Sequence, residues 1–167
     1  NRHSQMVSQM AVSLAHELGG IPPLEIKRIG EAALMHDVGK IAIPDKILNK
    51  PGKLTEEEWA IMKGHIEKGL EILGRMPETQ EILPIVAATH EHYDGSGYPK
   101  GLSRYDIPLG ARIIAVVDAY QALVSKRPYR PAKSPEEALE IIRTSSGKEY
   151  DPKVVRTFIS LLRKEGI

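Results

Sequence analysis

Apolar residues recur at helical spacing along most of the sequence, and no segment alternates apolar with polar residues as a half-buried strand does. Residues 3–18 place Val7, Leu14 and Leu18 on one face of an amphipathic helix. The most apolar segment, residues 110–126, is longer than an ordinary strand and rich in alanine, which also favours a helix. The periodicity therefore predicts an all-α protein.

Residues typical of helix N-termini divide the chain further. Thr55 and Glu58 form a capping box, and a proline follows a capping residue at 134–135 and at 151–152. Further helices are predicted at residues 24–35, 55–73 and 78–90. A chain of 167 residues suits one well-buried core, so we expect a single compact domain over residues 1–167 with about seven helices. Because the first helix is already under way at the start, we expect a domain excised from a longer multidomain protein.

Composition excludes several classes of site. The chain has no cysteine, so it cannot form disulfides or thiolate metal sites, and any metal must be held by histidine and carboxylate. The 23 basic and 22 acidic residues nearly balance, which gives no indication of a nucleic acid polymer or a membrane surface as partner. The longest apolar run, residues 113–117, is too short to insert into a membrane, and no signal peptide is present, which favours a cytoplasmic location.

Two metal-competent side chains, His36 and Asp37, stand together at the predicted end of a helix. An imidazole and a carboxylate suit a divalent ion such as iron or manganese. Neighbouring helical residues diverge by about 100°, so both reach one ion only if the helix ends or bends there, which Gly39 would permit. Taken alone, such a pair is more often a helix cap or a surface hydrogen bond.

Asp118 lies in the most apolar predicted helix. A buried, unpaired carboxylate is costly, so Asp118 needs either a metal ion or a hydrogen-bonding or ionic partner. The histidines at 3, 36, 65 and 90, each alone, would more often be satisfied, partly buried residues. Together with Asp37 and Asp118 they lie on five predicted helices, mostly at helix ends or on inward faces, and this joint pattern favours a metal centre.

These motifs resemble the HD-GYP branch of the HD-domain metal-dependent phosphohydrolases. The resemblance covers almost the whole chain. It rests on His3-Ser4 with Val7, on residues 36–41, on His65, on His90-Glu91 with residues 94–99, and on residues 111–113 through Asp118 to 127–130. The motif from Asp94 to Pro99, in register with the others, is its most specific part.

The resemblance implies an all-helical phosphodiesterase that hydrolyses the bacterial second messenger cyclic di-GMP with two or three clustered ions, often iron or manganese. It assigns one ion to His3, His36, Asp37 and Asp118, and a second to Asp37, His65 and His90. It also matches Lys40, Arg127 and Arg130 to positions that contact substrate phosphates.

The chemistry of such a site agrees with this assignment. Two divalent ions can hold a bridging hydroxide that attacks phosphorus, and the two oxygens of Asp37 suit a bridging role. Lys40, Arg127 and Arg130 would neutralise charge on the non-bridging phosphate oxygens, and Asp37 and Lys40 are the predicted catalytic residues. Arg127 and Arg130 could instead cap the C-terminus of the preceding helix.

Two departures from the family pattern bear on activity. Thr89 stands where the family usually has another histidine, and His92 should point elsewhere. The acidic ligand of three-metal members would fall before Asn1. We therefore expect pGpG as product, with slow or no further cleavage to GMP. The alternatives are a catalytically degenerate domain that binds cyclic di-GMP or a partner protein, and an HD enzyme that acts on another nucleotide.

The loop motif Gly97, Tyr98 and Pro99 could serve an interaction. The family resemblance suggests a diguanylate cyclase (GGDEF) domain as a partner for its aromatic surface. It also suggests an upstream sensory or receiver domain in the full-length protein. The simpler interpretation is that the glycines and the proline shape a tight loop.

Overall fold

The computed structural model describes residues 2–167, and regular structure in this range is helical throughout, with no β-strand. The α-helices are α1 (Arg2–Leu18), α2 (Pro23–Met35), α3 (Asp45–Leu48), α4 (Glu56–Lys63), α5 (His65–Leu73), α6 (Leu83–Ala87), α7 (Leu109–Val124), α8 (Pro135–Thr144) and α9 (Pro152–Lys164). Three 3₁₀ turns cover Val38–Ala42, Pro77–Ile82 and Arg104–Asp106. The all-α prediction is confirmed. Within residues 2–167 the helices beyond the expected seven arise from α3, which is only four residues long, and from the division of one predicted helix into α4 and α5.

Two predicted helices are interrupted in the structure. The helix predicted at 55–73 divides at Gly64, which ends α4 and precedes α5. Glycine is a poor helix former, so a break there costs little. The helix predicted at 78–90 is a 3₁₀ turn followed by the short α6, because Pro84 lacks the N–H that a continuous helix would need.

Helix α7 is the centre of the core. It packs against α1, α2, α6, α8 and α9, which together cover most of its surface. Ile113, Ile114, Val116 and Val117 are consequently fully buried. Asp118 follows them but is less buried than its apolar surroundings predict, because 27% of its side chain is exposed.

Two packing contacts position the residues of interest. Helix α1 packs along α7 through Val7, Ala11 and Leu14, so the first turn of α1 lies beside the middle of α7. Helix α5 packs against the 3₁₀ turn Val38–Ala42 that follows α2. The C-terminal end of α2 and the N-terminal start of α5 therefore lie close together, near α7. Among residues 2–167, no helix is both long and apolar enough to cross a membrane.

Candidate metal centre

The six side chains predicted as metal ligands lie in one cluster. It forms where the starts of α1 and α5, the end of α2, the turn after α6 and the middle of α7 meet. These residues, hereafter the metal cluster, are His3, His36, Asp37, His65, His90 and Asp118. Residues separated by more than a hundred positions in sequence are thus brought within contact of one another, as between His3 and Asp118.

The end of α2 allows His36 and Asp37 to point towards the same region. Helix α2 ends at Met35, and Asp37 has left the helical conformation with φ −99° and ψ 7°. The Nε2 atom of His36 lies 3.3 Å from Asp37 Oδ2 and 3.5 Å from Asp118 Oδ1. The predicted helix end at this pair is therefore present.

Gly39 acts through a close approach rather than through a bend. A Cβ atom at Gly39 would lie 1.8 Å from the carbonyl oxygen of His65 and 2.5 Å from the backbone nitrogen of Gly69. Only glycine lets the 3₁₀ turn contact α5 at this distance. The contact brings Asp37 Oδ1 to 3.9 Å from the Nε2 atom of His65.

Backbone carbonyls fix the tautomers of two histidines. The Nδ1–H group of His36 donates to the carbonyl of Ala33 at 2.6 Å, and that of His65 donates to Met62 at 2.7 Å. A carbonyl can only accept, so in each neutral ring the lone pair is on Nε2, which faces the cluster. Metal-binding histidines are commonly oriented by a second hydrogen bond of this kind.

Asp37 is shared by two sets of donor atoms. One set contains Asp37, His65 and His90, and the other contains His3, Asp37 and Asp118; within each set the donor atoms lie within 4.8 Å of one another. A carboxylate has two oxygens and can serve both sets at once. The arrangement provides candidate ligands for more than one ion.

Unsatisfied buried atoms support this interpretation. Within residues 2–167, the Nε2 atoms of His36, His65 and His90 and the Oδ1 atom of Asp37 are buried without a hydrogen-bond partner. Leaving such atoms unpaired costs free energy, and a cation could accept lone pairs from all of them. Imidazole nitrogens and carboxylate oxygens are a donor set that binds divalent metal ions.

Burial and neighbouring charges together shift the pKa values of three side chains in the cluster. Burial and neighbouring His65 lower the pKa of His90 to about 4, which keeps its lone pair available at neutral pH. Burial alone would lower the pKa of His36, but Asp118 and Asp37 raise it to about 8. Burial alone would raise the pKa of Asp118, but His3, with Nε2 2.9 Å from Oδ1, and His36 hold it far below its usual value.

Of the three cationic side chains predicted to contact phosphates, one lies at the metal cluster and two lie in a separate groove. Lys40 contacts it directly, with Nζ 3.3 Å from Asp37 Oδ2. Arg127 and Arg130 lie in an exposed turn after α7, where with Leu48 and Asn49 they line an open groove of about 480 Å³. Arg130 Nη2 also donates to the carbonyl of Ala122 at 3.0 Å, which is the predicted alternative role at the helix C-terminus. In the described part of the chain neither guanidinium pairs with a carboxylate.

The hydroxyl of Thr89 and the imidazole of His92 form local hydrogen bonds. Its hydroxyl donates to the carbonyl of Val86 at 3.1 Å, and His92 Nδ1 lies 3.0 Å from the hydroxyl of Ser96. Thr89 and His92 line a cavity of about 150 Å³ together with His90 and Asp118 of the metal cluster. For the residues that the structure describes, His92 belongs to neither set of metal-competent donors.

The loop after His90 is held close to the cluster by contacts that the sequence did not predict. A Cβ at Gly97 would lie 2.5 Å from the carbonyl oxygen of His90, so a tight loop does require this glycine. The buried carboxylate of Glu91 accepts hydrogen bonds from the backbone nitrogens of Lys100 and Leu102, at 2.9 and 3.0 Å. The glycines and the proline predicted a tight loop, but nothing local in the sequence identified the partners of Glu91.

Comparison with known proteins agrees with this geometry. A family model described as HD domain matches residues 1–154. A cyclic di-GMP phosphodiesterase of Thermotoga maritima is 45% identical over 163 residues, which cover 96% of this chain and 44% of that protein. The 3′3′-cGAMP-specific phosphodiesterase 2 of Vibrio cholerae is 43% identical over 159 residues, which cover 94% of this chain and 30% of that protein. This chain thus spans less than half the length of either relative.

A solved structure shows the same fold. The HDG"Y"P protein Bd1817 of Bdellovibrio bacteriovorus superposes with a TM-score of 0.78 at 22% identity, over 96% of this chain and 51% of that one. The family model covers most of the chain and includes the whole metal cluster. The chain therefore belongs to the HD domain family, as the resemblance of its motifs to the HD-GYP branch predicted.

Proposed function

We propose that this domain is a metal-dependent phosphodiesterase that hydrolyses cyclic di-GMP to pGpG, with slow or no further cleavage to GMP. The observation that carries the proposal is the position of Asp37 in both donor sets, with its Oδ1 atom and the Nε2 atoms of His65 and His90 buried without a hydrogen-bond partner within residues 2–167. The relative from Thermotoga maritima, a cyclic di-GMP phosphodiesterase, supports this choice of substrate. The proposed place of action is the cytoplasm.

The proposed ligands follow the two donor sets. His3, His36, Asp37 and Asp118 would hold one ion, and Asp37, His65 and His90 would hold the second, with iron or manganese as the metal. Bound divalent ions supply charge that stabilises a phosphoryl transition state and lower the pKa of water. The carbonyls of Ala33 and Met62 keep the lone pairs of His36 and His65 directed at the cluster.

The cations of the chain have separate proposed roles. Lys40 is 39% exposed and borders the cluster, so its ammonium group can contact a phosphate while remaining next to Asp37. The guanidinium groups of Arg127 and Arg130 would bind phosphate oxygens from the open groove. Arg130 would do so while its hydrogen bond to Ala122 holds the turn against the end of α7.

Removing the guanidinium of Arg127 tests the role of the groove. We expect Arg127→Ala to raise KM for cyclic di-GMP by about 10-fold to 100-fold, the effect of losing a charged hydrogen bond. The metal content per chain should not change. Arg156→Ala, which removes an exposed arginine from a different cavity, is the matched control. Equal KM values for the two variants would contradict a phosphate contact at Arg127.

The substrate proposal is tested with a panel of nucleotides. Protein prepared without oxygen and loaded with iron or manganese is incubated with cyclic di-GMP, 3′3′-cGAMP and cyclic di-AMP, and products are separated by chromatography. We expect the highest kcat/KM for cyclic di-GMP, with pGpG accumulating. Preferential hydrolysis of 3′3′-cGAMP would instead assign the specificity of the Vibrio cholerae relative, and no hydrolysis at all would reject the enzyme.

A second candidate function is a catalytically silent domain that binds cyclic di-GMP or a partner protein. The hydrogen bond of Thr89 to Val86 favours it, because this side chain supplies no ligand where the family usually has histidine. A second donor set that lacks one imidazole ligand would bind the second ion more weakly, and turnover could be lost. Tight nucleotide binding by the metal-loaded protein without any product would favour this function.

The proposed partners are a GGDEF domain and an upstream sensory or receiver domain. The GGDEF contact would use Tyr98 and the exposed Pro99 of the loop motif that Gly97 allows to close. Titration of a purified GGDEF domain against wild type and Tyr98→Ala checks this. Unchanged binding would remove the loop motif from the interface.

A further inference from the structure

His90 is held between two aromatic side chains. The ring of Tyr98 lies parallel to the imidazole, with centroids 5.3 Å apart and an interplanar angle of 6°. The ring of His65 meets His90 edge-on, with centroids 5.0 Å apart and an angle of 86°. Both arrangements are favourable for aromatic pairs, and together they restrict rotation of the His90 ring.

The backbone keeps Tyr98 beside His90. The backbone nitrogen of Tyr98 donates to the carbonyl of His90 at 3.2 Å. Gly97 allows the two segments to touch, and Glu91 binds the backbone on the other side of Tyr98, at Lys100 and Leu102. The ring of Tyr98 is therefore fixed relative to His90 by contacts both before and after it in sequence.

Helix α4 supports Tyr98 from outside the cluster. Trp59 contacts its ring edge-on at 5.8 Å, and the Nζ atom of Lys63 lies 5.8 Å from the centroid of Tyr98. The described residues provide no hydrogen-bond partner for the Tyr98 hydroxyl. Burial and the nearby Asp37 raise the pKa of Tyr98 to about 12, so the hydroxyl stays neutral at physiological pH. The ring, and not the hydroxyl, makes the contacts.

We propose that Tyr98 is a positioning residue whose ring fixes the plane of the His90 imidazole so that Nε2 faces Asp37 and His65. The inference rests on the proposed function, in which these three residues hold the second ion. It assigns the tyrosine of the loop motif a role inside the domain, independent of any partner. Its effect should be specific to the second ion, because His90, the cluster residue on which the Tyr98 ring stacks, belongs to the second donor set.

The test measures Mn²⁺ binding without substrate, by titration and by ions bound per chain. Tyr98→Leu should weaken binding of the second ion by about 10-fold to 100-fold, the usual effect of losing an outer contact to a metal ligand, and leave the first unchanged. Tyr98→Phe should restore wild-type affinity because it keeps the ring. Tyr93→Leu, in the same loop but packed on Arg104, is the matched control and should bind as wild type.

The metal affinities of these variants either support or overturn the positioning role of Tyr98. Wild-type affinity for both ions in folded Tyr98→Leu, or equal losses in Tyr98→Leu and Tyr98→Phe, would overturn the positioning role. If Tyr98→Leu does not fold by circular dichroism, Tyr98→Met, which is flexible and of similar length, replaces it in the comparison. A wild-type chain that binds two ions but leaves cyclic di-GMP intact contradicts the proposed function alone; one that binds a single ion contradicts both.

Discussion

Asp37→Asn is expected to lower kcat for cyclic di-GMP by at least about 10³-fold, corresponding to about 4 kcal/mol of lost transition-state stabilisation. The substitution keeps the size of the side chain but removes the negative charge and one acceptor oxygen. Asp37 is the residue that both donor sets share, so this one substitution alters a ligand of both proposed ions. The variant should also bind fewer than two metal ions per chain.

The measurement is steady-state kinetics with metal content determined on the same samples. Asp106→Asn, which neutralises an exposed carboxylate in the turn before α7, is the matched control and should keep wild-type kcat. The metal-free Asp37→Asn chain should fold, since Oδ1 has no hydrogen bond to lose within residues 2–167 and the amide oxygen of asparagine can still accept from Lys40. Two bound ions and more than a tenth of wild-type kcat in Asp37→Asn would contradict the shared-ligand role.

Gly39→Ala should destabilise the fold by about 3 kcal/mol, which is the upper range for forcing an extra carbon into a packed interior. The added Cβ would lie 1.8 Å from a backbone oxygen of His65, and backbone cannot move aside as a flexible side chain can. The 3₁₀ turn and α5 must therefore separate, which also moves Asp37 away from His65. Urea unfolding of the metal-free protein measures the stability effect.

Gly69→Ala provides a control across the same contact. Its Cβ would meet the backbone nitrogen of Gly39 at 3.4 Å, an ordinary van der Waals distance. Alanine is also the better helix former, so the free energy of unfolding should change by less than about 1 kcal/mol. If both variants have similar stability, the close approach at Gly39 does not hold the turn against α5.

The fold was largely predictable because its signals are local. Helical periodicity and capping residues anticipated α1, α2, α7, α8 and α9, and Ser134 and Asp151 do cap the helices that they precede. The two interrupted helices show what periodicity omits. An apolar stripe can continue across Gly64 or Pro84, although the backbone at each position favours a break.

The residues of the metal cluster could be proposed from their types and order, but their geometry could not. Which carbonyl orients His36 or His65 depends on side-chain rotamers at a helix end. The stacking of Tyr98 on His90 depends on a loop closed by Glu91, through contacts between segments that no periodic pattern relates. Two alternatives were predicted for Asp118, an ionic or hydrogen-bonding partner and a metal ion. Its hydrogen-bonding partner is His3, which is also a predicted metal ligand, so the two alternatives involve the same pair of residues.

Anomalous diffraction from crystals of the manganese-loaded protein would give the number and the positions of the bound ions. We expect two peaks per chain, one beside His3, His36 and Asp118 and the other beside His65 and His90, with Asp37 in contact with both. A single peak, or two peaks of which neither contacts Asp37, would contradict a two-metal centre built on this residue.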